Sequence, residues 1–472
     1  MIILSVSLGV FAVSHLRCLH AQEISLIEKS TIDPEALTFA EGPATRFGRV
    51  VNGRTHQQTP LTTYRGYQYA TYFDSARRVC IARRKLPSGS WEVIRFADHR
   101  FASNDSHNTA VLGICDADGT IHMAFDHHAT RLNYRFSKRG AAHEPGKVKW
   151  DVSLFSGIRH KLGSVTPHRK ITYPRFFSAP NGNLMLYYRS VTSANGDGMI
   201  EEYDGKKHAW TPGLGKFISR DKGVYKFEGK SSRFRCPYLN SISFSGKRLH
   251  VSWIWRDRFE KTSVRHQHSL CYAYSEDNGR SWNNSAGERI GETGKSPIHL
   301  DSKDLVVAEI PSDSGLSNQN THYAYPDGRI HVMLLQTPAD GKRKTYHHHW
   351  RSAEGEWQVE ALPYSGTRPK LLGGKDRSLL LFYTSRSLLQ IARGTPRPAG
   401  GGWKWKRIDL DQPHPCFGEA IVDLERWNKE EILSVYSQAA PRRILKTKDS
   451  IAVSGIPSPL NVTDYRILTP RK

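Results

Sequence analysis

The sequence predicts an all-β protein that folds as a seven-bladed β-propeller. Short runs of β-branched and aromatic residues recur along the chain between turns rich in Gly, Asp and Asn, and helical periodicity is hard to find. One turn with its following strand appears four times, as DGTIHMAF, NGNLMLYY, GKRLHVSW and DGRIHVML. Four-stranded units repeating at a spacing of about 45 to 65 residues are typical of propeller blades. A two-sheet sandwich, the alternative, would not repeat one hairpin so regularly.

Seven such units follow one another along the chain. Unit by unit, the predicted strands are 62–73, 79–84 and 91–96; 109–115, 120–125, 132–136 and 148–154; 171–178, 183–190 and 199–203; 236–244, 248–255 and 270–275; 321–325, 329–336, 345–350 and 357–362; 369–372, 378–384, 388–393 and 403–408; 419–424, 431–438 and 444–448. The ring must close by pairing a terminal strand into the last blade, and 23–26 and 465–468 are both candidates. Residues 22–472 are therefore expected to form one propeller domain.

The N-terminal segment MIILSVSLGVFAVSHLRCLHAQE resembles a secretory signal with cleavage after Ala21, although it lacks the usual basic residue before the apolar run. That run of about 13 residues is shorter than the roughly 20 that a membrane span needs. We therefore expect residues 1–21 to be a signal peptide, the mature protein to be secreted or periplasmic, and no membrane span. The remaining five cysteines are odd in number and widely spaced, which excludes a disulfide framework and leaves at least one thiol free or bound to a metal.

The charge balance favours a polyanionic partner. Lys and Arg number 68 against 45 Asp and Glu, giving a net charge of +23. The basic residues are spread along the chain, and no helix-turn-helix, zinc-finger or RNA-binding signature is present. An acidic polysaccharide is therefore favoured over nucleic acid, with simple solubility or adaptation to a charged environment as the remaining explanation.

Two histidines mark the ends of the hairpin at 104–128. Its strands flank the turn DADG, and His107 opens the first strand while His127 closes the second. Both imidazoles are therefore expected at one rim of the hairpin, on the face of the disc where first strands begin. Asp126 and His128 are expected to be supporting or surface residues.

The next two units place aromatic and basic residues at the same rim. Tyr173 pairs with Arg189 across the turn at 180–182, and Tyr238 pairs with Arg256 across the next turn. Strand alternation favours Tyr173 over Tyr188 as the cavity-facing tyrosine. Three adjacent blades are thus predicted to bring two histidines, two tyrosines and two arginines to one channel mouth, although propeller rims are often polar and aromatic without a function.

This set of side chains suits β-elimination of a uronic acid polymer better than glycoside hydrolysis, which normally uses two carboxylates. Arg189 fits the cation that neutralises the uronate carboxylate and stabilises the enolate, because a guanidinium stays charged and binds a carboxylate through two nitrogens. His107, His127 and Tyr173 fit the roles of base and acid. Asn108, Arg175, Tyr238 and Arg256 are expected to bind substrate.

Several motifs resemble the BNR-repeat propeller lyases that degrade ulvan, an algal sulfated polymer of uronic acid and rhamnose (polysaccharide lyase families 24 and 25). They are SHNT, DHH, TYPRF, YYR and CYAYSEDNG, and the likeness extends over roughly 45–440. The segment SEDNGRSW at 275–282 also fits the Asp-box turn of sialidase-like propellers, a structural device. The resemblance implies a secreted lyase whose two histidines, tyrosine and arginine match His107, His127, Tyr173 and Arg189, with Tyr238 as a supporting residue.

The same resemblance implies a structural zinc ion. Its expected ligands here are His268, Cys271, His322 and His348, with His266, His347 and His349 as further candidates. Successive residues of a strand point to opposite faces, so the three consecutive histidines cannot all share one ion. His122, His250 and His331 recur at one blade position and are expected to be structural.

Two alternatives to a lyase remain open at the level of the sequence. A sialidase-like glycoside hydrolase would use a tyrosine nucleophile with a glutamate and an arginine cluster. A non-catalytic propeller would bind an acidic glycan and release nothing.

Overall fold

The computed structural model describes residues 23–38, 50–54, 59–103, 105–259, 265–338, 340–341, 343–352, 354–398, 401–441 and 457–468. They form seven small sheets arranged as the blades of a propeller, which confirms the predicted fold class. Almost every strand pairs antiparallel with the next one in the chain, because short turns join the strands. The inner strands, such as Ala110–Ile114, Ile121–Phe125 and Leu184–Ser190, are buried along their whole length, since blades pack on both of their faces. The expected signal peptide lies outside the described residues.

The strands of the blades have the following bounds. Blade 1 comprises β2 (Leu61–Tyr64), β3 (Tyr67–Phe73), β4 (Arg78–Lys85) and β5 (Glu92–Arg100); blade 2 comprises β6 (Ala110–Ile114), β7 (Ile121–Phe125) and β9 (Tyr134–Phe136); blade 3 comprises β10 (Ile171–Ser178), β11 (Leu184–Ser190), β12 (Gly198–Asp204) and β13 (Ala209–Ile218), joined by β8 (His128–Thr130). Blade 4 comprises β16 (Phe234–Ser245), β17 (Arg248–Arg258), β18 (Arg265–Ser275), β19 (Ser281–Asn283) and β20 (Arg289–Glu292), with β21 (Val306–Ala308) on β18 and a separate hairpin of β14 (Tyr225–Phe227) and β15 (Lys230–Ser232). Blade 5 comprises β22 (Thr321–Ala324), β23 (Ile330–Gln336), β24 (Thr345–Arg351) and β25 (Trp357–Ala361); blade 6 comprises β26 (Lys370–Gly373), β27 (Leu379–Ser385), β28 (Leu388–Pro396) and β29 (Trp403–Ile408).

Both termini close the ring within blade 7. Its strands run in the order β30 (Ile421–Val422), β31 (Ile432–Gln438), β32 (Pro457–Ile467) and β1 (Ile24–Leu37), so the C-terminal strand is third and the N-terminal strand is outermost. The sequence left open which terminus would do this, and the structure uses both. The predicted strand at 444–448 lies outside the described residues.

Two predicted strands are replaced by helical turns. Residues 148–154 were expected to form an outer strand of blade 2, but a 3-10 turn covers Val152–Leu154 and blade 2 keeps three strands. In blade 7, the strand expected over 419–424 stops at Val422, and helix α1 (Leu424–Glu430) follows. Asp423 caps this helix by accepting a hydrogen bond from the backbone N–H of Arg426, a signal that the apolar pattern of the segment concealed.

The predicted Asp-box turn in blade 4 has the expected structural role. The Asp277 carboxylate accepts hydrogen bonds from the backbone N–H groups of Arg280 and Ser281, and the fully buried Trp282 donates from Nε1 to Thr293. All five cysteines in the described part of the chain are buried and unpaired, so no disulfide is formed there. The inter-blade cores are apolar side chains, and the structure rests on their packing.

A buried charge cluster joins blade 7 to blade 1. The Asp464 carboxylate accepts hydrogen bonds at 2.7 Å from Arg84 of blade 1, at 2.7 Å from Arg426 of α1, and at 2.6 Å from Ser434. Asp464 and Arg84 are essentially inaccessible to solvent. Removing one partner of such a cluster leaves an uncompensated buried charge, which is strongly destabilising.

We expect Asp464→Asn to lower the free energy of unfolding by about 3–5 kcal/mol, because two buried guanidinium groups lose their shared buried counter-charge and keep only the more exposed carboxylates of Glu28 and Glu430. Equilibrium unfolding in urea measures this. As a control, Lys295→Met breaks an ion pair with Glu292 in which the lysine is 77% exposed, and should change stability by less than about 1 kcal/mol. Equal effects of the two substitutions would contradict the assigned role of the cluster.

Candidate functional site

One channel mouth gathers most of the side chains that the sequence singled out. The imidazole of His107 and the phenol ring of Tyr173 lie 5.9 Å apart between centroids, and Tyr173 lies 5.9 Å from Tyr238. Arg189 contacts both tyrosine rings, and Arg256 contacts Tyr238. These five residues form one continuous group across blades 2, 3 and 4. The strand register differs from the predicted pairing, since Arg189 lies opposite Thr172 and Arg256 lies opposite Cys236 rather than opposite the tyrosines.

Arg189 is the most unusual group in this cluster. It is 1% exposed, and its guanidinium carbon lies 4.9 Å from the ring centroid of Tyr173 and 5.1 Å from that of Tyr238. None of its three side-chain nitrogens has a hydrogen-bond partner. Cation–π contacts compensate only part of the cost of burying a charged group. The site therefore holds a buried positive charge with the capacity to bind a carboxylate.

A β-bulge presents Tyr173 to this charge. Thr172 pairs with Arg189 and Arg175 pairs with Tyr187, so two residues of β10 oppose one residue of β11. Tyr173 itself has φ of 58°, in the left-handed region that is strained for an aromatic residue. Strain of this kind costs of order 1–3 kcal/mol and concentrates at functional sites.

The two arginines change the acidity of Tyr238. The Arg256 guanidinium donates to the Tyr238 hydroxyl at 2.9 Å, and that hydroxyl donates to the Oγ of Ser193 at 3.2 Å. Burial favours a raised pKa for Tyr238, but the charges of Arg189 and Arg256 outweigh it and lower the pKa below its ordinary value. Burial raises the pKa of Tyr173, so its phenol keeps its proton at neutral pH.

A shared carboxylate orients two histidines beside Tyr173. The Nδ1 of His107 hydrogen-bonds to one oxygen of Asp105 at 2.5 Å, and the Nδ1 of His128 hydrogen-bonds to the other oxygen. The two imidazoles stack with their centroids 4.2 Å apart. The pKa of Asp105 lies below its usual value because hydrogen bonds from both rings outweigh the effect of burial. Burial lowers the pKa of His107 to about 4, so this ring is neutral at pH 7.

The structure corrects the expected pairing of His107 with His127. The ring of His127 is 1% exposed and hydrogen-bonds within its own loop, to Thr130 Oγ1 and to the backbone of Asn133, each at 3.3 Å. His128 takes the place beside His107 instead. The alternation of side-chain directions expected for a strand does not hold here, because Asp126 and Ala129 have left-handed backbones with φ of 65° and 57°. The chain leaves blade 2 at this point and pairs with blade 3 as β8.

Two of the four expected substrate-binding residues lie elsewhere. The amide of Asn108 is buried and donates to the carboxylate of Asp126 at 2.6 Å, which holds the loop before His128. Arg175 lies further along the channel, towards the opposite mouth, and donates to Ser241 at 3.0 Å. Tyr238 and Arg256 are in the cluster as expected.

The expected zinc ligands are not brought together. His268 stacks on Tyr225 and hydrogen-bonds to Asp257 at 3.2 Å, whereas the Cys271 thiol is buried in the core of blade 4. His322 is held between Ser243 and Ser252, and His348 between His331 and Glu360. The set His268, Cys271, His322 and His348 is therefore corrected: the three histidines have separate hydrogen-bond partners in blades 4 and 5, and the Cys271 thiol lies in an apolar core. As expected, His122, His250 and His331 are buried and structural.

Among the described residues, one group of three metal-binding side chains has its ligand atoms within 4.8 Å of one another, namely Asp105, His107 and His128. A closed structural zinc site needs four protein ligands. The Nδ1 atoms of both imidazoles are also already bound to the carboxylate. This group therefore does not fit the expected structural zinc, and its hydrogen bonds give it a different role.

Sequence reasoning missed the far side of the channel mouth. Glu419, which precedes blade 7, forms ion pairs with Arg368 at 2.7 Å and Arg54 at 3.3 Å. The charge of Arg368 also contributes to the lowered pKa of His107, and both arginines act on Tyr173. Arg54, Arg368 and Glu419 carry no motif, and only closure of the ring brings them next to blades 2 and 3.

Comparison with known proteins gives a family match and several relatives. A family model for BNR repeat-containing members matches residues 67–364. The long isoform of ulvan lyase from Alteromonas sp. (strain LOR) is 27% identical over 387 residues, and that from Pseudoalteromonas sp. (strain PLSV) is 24% identical over 385 residues. Each alignment covers 71% of this chain but 37% of the relative, so the chain spans little more than a third of these proteins.

Solved structures share the fold. The polysaccharide lyase Uly1 superposes with a TM-score of 0.70 and 17% identity, covering 94% of this chain and all of that one. A PL25 ulvan lyase bound to -[GlcA(1-4)Rha3S]- superposes with a TM-score of 0.61 and 12% identity, covering 87% of this chain and 93% of that one. Within the described residues, no helix has the length and hydropathy to cross a bilayer.

The placement of His127 predicts how stability depends on pH. Burial lowers the pKa of His127 to about 4, against about 6.5 in an unfolded chain, so the unfolded state binds the extra proton between these values. The stability that depends on a neutral His127 is therefore complete above pH 6.5 and is lost as pH falls towards 4. In His127→Gln, we expect the free energy of unfolding, measured in urea, to fall less steeply between pH 7 and 4. The difference in slope should correspond to the uptake of about one proton fewer on unfolding.

The exposed His168 provides the control, because His168→Gln should leave the pH dependence unchanged. A slope that is the same in His127→Gln and in the unsubstituted protein would contradict the buried, neutral state of His127.

Proposed function

Because this chain belongs to the BNR repeat-containing family, we propose that it is a polysaccharide lyase that cleaves a sulfated, uronate-containing polymer of the ulvan type by β-elimination. The observation that carries the proposal is the buried guanidinium of Arg189, which has no hydrogen-bond partner and contacts a protonated tyrosine, whose ring in turn lies 5.9 Å from a neutral histidine. The names of the relatives support the substrate class, and the fold shared with a ulvan lyase bound to -[GlcA(1-4)Rha3S]- agrees with it.

The first requirement of β-elimination is a cation for the uronate carboxylate, because the proton next to that carboxylate is very weakly acidic. Arg189 supplies the charge within a site of low dielectric, where it acts more strongly than in water. Its nitrogens are covered by the rings of Tyr173 and Tyr238. A carboxylate therefore reaches the guanidinium when one of the two rings turns aside.

The second requirement is a base and an acid in the correct protonation states. The Asp105 carboxylate is ionised and only accepts hydrogen bonds, so His107 donates from Nδ1 and its Nε2 carries the lone pair. Neutral His107 therefore fits the base, and Tyr173, whose pKa is raised by burial, fits the acid. Asp105 is a positioning residue, since it fixes the tautomer of His107 without contacting the substrate.

In the proposed reaction, Nε2 of His107 removes the proton at C5 of the uronate while the electron pair forms an enolate next to the carboxylate. Arg189 stabilises that enolate. The electron pair then forms the double bond between C4 and C5 as the bond to the glycosidic oxygen breaks, and the hydroxyl of Tyr173 protonates the leaving oxygen. Tyr238, held by Arg256, positions Arg189 and Tyr173 by ring contact. After the product leaves, His107 gives its extra proton to solvent and Tyr173 takes one up, which restores the starting protonation states. No step uses a metal.

The structure gives less support to the two alternatives. A sialidase-like hydrolase would need a glutamate free to activate its tyrosine nucleophile. The described carboxylates around the cluster are all engaged: Asp105 by two imidazoles, Asp126 by Asn108 and His99, and Glu419 by two arginines. A pure binding module would not require a neutral histidine and a protonated tyrosine on one side of a buried cation. The net charge of +23 suits a polyanionic substrate under either reading.

We also propose that the protein is secreted or periplasmic, with residues 1–21 as its signal peptide, because an extracellular polymer cannot enter a cell before it is cut. Detection of the chain in the culture medium or periplasm, with a mature N-terminus at Gln22, would support this proposal. Retention of Met1 on a cell-associated protein would contradict it.

The charge of Arg189 predicts the outcome of Arg189→Met. Turnover of ulvan, followed by the ultraviolet absorbance of the new double bond conjugated to the carboxylate, should fall by at least about a thousandfold, because stabilisation of the enolate is lost. Stability should stay the same or rise, since an uncompensated buried charge is removed.

Arg235→Met is the matched control. Arg235 is also fully buried, but it donates to backbone carbonyls and pairs with Asp257, so its loss should destabilise the protein. If Arg189→Met retained turnover, or if ulvan gave new reducing ends without the absorbance, the elimination mechanism would be wrong.

The role of Asp105 predicts a shift of the pH profile. In the unsubstituted enzyme kcat/KM should fall as pH drops through about 4, where His107 takes up a proton and stops acting as a base. Since the Asp105 charge raises the pKa of His107 and burial lowers it, Asp105→Asn should move this acid limb to lower pH. It should also lower kcat by about a hundredfold with little change in KM, because the ring loses its orientation.

His127→Gln is the control, because His127 hydrogen-bonds within its own loop. This variant should keep the acid limb of the pH profile at the same pH and change kcat less than about threefold. A shift equal to that of Asp105→Asn would contradict the proposal.

A further inference from the structure

The channel has a second cavity at its other end. It has a volume of about 600 Å³ and is lined by the turns that join first and second strands in blades 4, 5 and 6, and by α1. His107 and Arg189 lie at the opposite ends of their strands, so this cavity opens on the other face of the disc. The proposed elimination makes no use of it.

Positive charge exceeds negative charge in this cavity. Its walls carry five cationic side chains and two carboxylates, namely Arg175, Arg329, Lys370, Lys375 and Arg377 with Asp327 and Glu431. The two carboxylates are already paired at the rim, Asp327 with Arg329 and Glu431 with Lys375. The inner part of the cavity therefore has only cations.

Two of those cations line the inner part of the channel and form no ion pair within the described residues. Arg175 is 6% exposed; it donates one hydrogen bond to the hydroxyl of Ser241 at 3.0 Å, and its buried Nε has no partner. In the part of the chain that the structure describes, the ammonium of Lys370 makes neither an ion pair nor a hydrogen bond. Both cations line the same cavity, and the charge of Arg175 acts on the ammonium of Lys370, so each raises the free energy of the other.

Hydroxyl groups complete the lining between these cations. Ser241 and Ser243 project from β16 into the cavity, and the neutral His322 fixes the Ser243 hydroxyl at 3.0 Å from its Nε2. A guanidinium, an ammonium and two hydroxyl groups around one small space are the donors that tetrahedral oxyanions prefer. Among the described residues, no acidic side chain lines this inner part of the cavity.

We propose that this inner part of the second cavity binds a sulfate group between Arg175 and Lys370, either as the free ion or carried on a single sugar. The proposal does not depend on the elimination reaction, because the residues involved take no part in it. A bound sulfate removes the repulsion between the two cations and accepts hydrogen bonds from the guanidinium of Arg175 and the ammonium of Lys370.

The pKa of Lys370 adds a second expected property. Burial, followed by the charge of Arg175, lowers this pKa to about 7, while Glu419 raises it and Arg368 lowers it further. These charged groups, with the neutral His322 in the same lining, are the ones that face the ammonium. Since an anion binds the protonated amine, affinity for sulfate should fall as pH rises from 6 to 8.5.

The test is titration of the full-length protein with sodium sulfate at constant ionic strength, made up with sodium chloride, followed by calorimetry and by the melting temperature. We expect saturable binding in the unsubstituted protein and at least about a tenfold loss of affinity in both Arg175→Met and Lys370→Met. Lys370→Arg should retain binding and lose the pH dependence, which keeps the test valid if the methionine variant is unstable. Rhamnose 3-sulfate in place of sulfate distinguishes a sugar-borne group from the free ion.

Two further variants locate the site. Arg189→Met should bind sulfate as the unsubstituted protein does, since Arg189 lies at the other mouth, and Lys295→Met is the control for general loss of surface charge. Stabilisation by chloride equal to that by sulfate, the same affinity in Lys370→Met, or loss of binding in Arg189→Met would each overturn the proposal.

Discussion

Closure of the ring by the termini is the constraint on which the rest of the structure depends. β1 pairs with β32 over almost its whole length, so strands more than 400 residues apart in sequence form the outer half of one blade. The Asp464 cluster then fixes that blade to blade 1. Once the ring is closed, the first strands of all blades must line one channel, and side chains at their ends are brought together irrespective of sequence distance. Glu419 and Arg368 reach the neighbourhood of His107 only in this way.

The positions of the blades could be predicted because each hairpin carries its own signals. The turn at 116–119 and the strands on both sides of it are encoded within about twenty residues by local alternation and turn chemistry. The same reasoning placed Tyr173, Arg189, Tyr238 and Arg256 at one mouth, since it needs only the turn and equal distances from it. α1 escaped prediction because seven residues give too few turns of a helix for periodicity to be visible.

Local rules failed where the backbone departs from regular strand geometry. His127 was expected at the cavity because a strand points every second residue to the same side. The left-handed residues Asp126 and Ala129 change that parity, and His128 occupies the place instead. The ligand set for zinc failed for a different reason: it required the relative positions of neighbouring blades, which no single hairpin encodes. Asp105 was overlooked because a carboxylate that serves two imidazoles is recognisable only after both rings are in place.

The channel contains buried cations that destabilise the folded state, and these cations indicate what kind of ligand it binds. Arg189, Arg175 and Lys370 are cations held in or beside the channel without counter-charges, and a fold selected for stability alone would replace them with apolar side chains of similar volume. The cluster at Glu419 shows that the same channel can supply a carboxylate where one is needed, since that residue neutralises Arg54 and Arg368. Arg189 differs from Arg54 and Arg368 in having no carboxylate partner among the described residues. A neutral glycan would leave the charge uncompensated after binding, whereas a uronate brings the missing carboxylate to the point where the negative charge of the reaction develops.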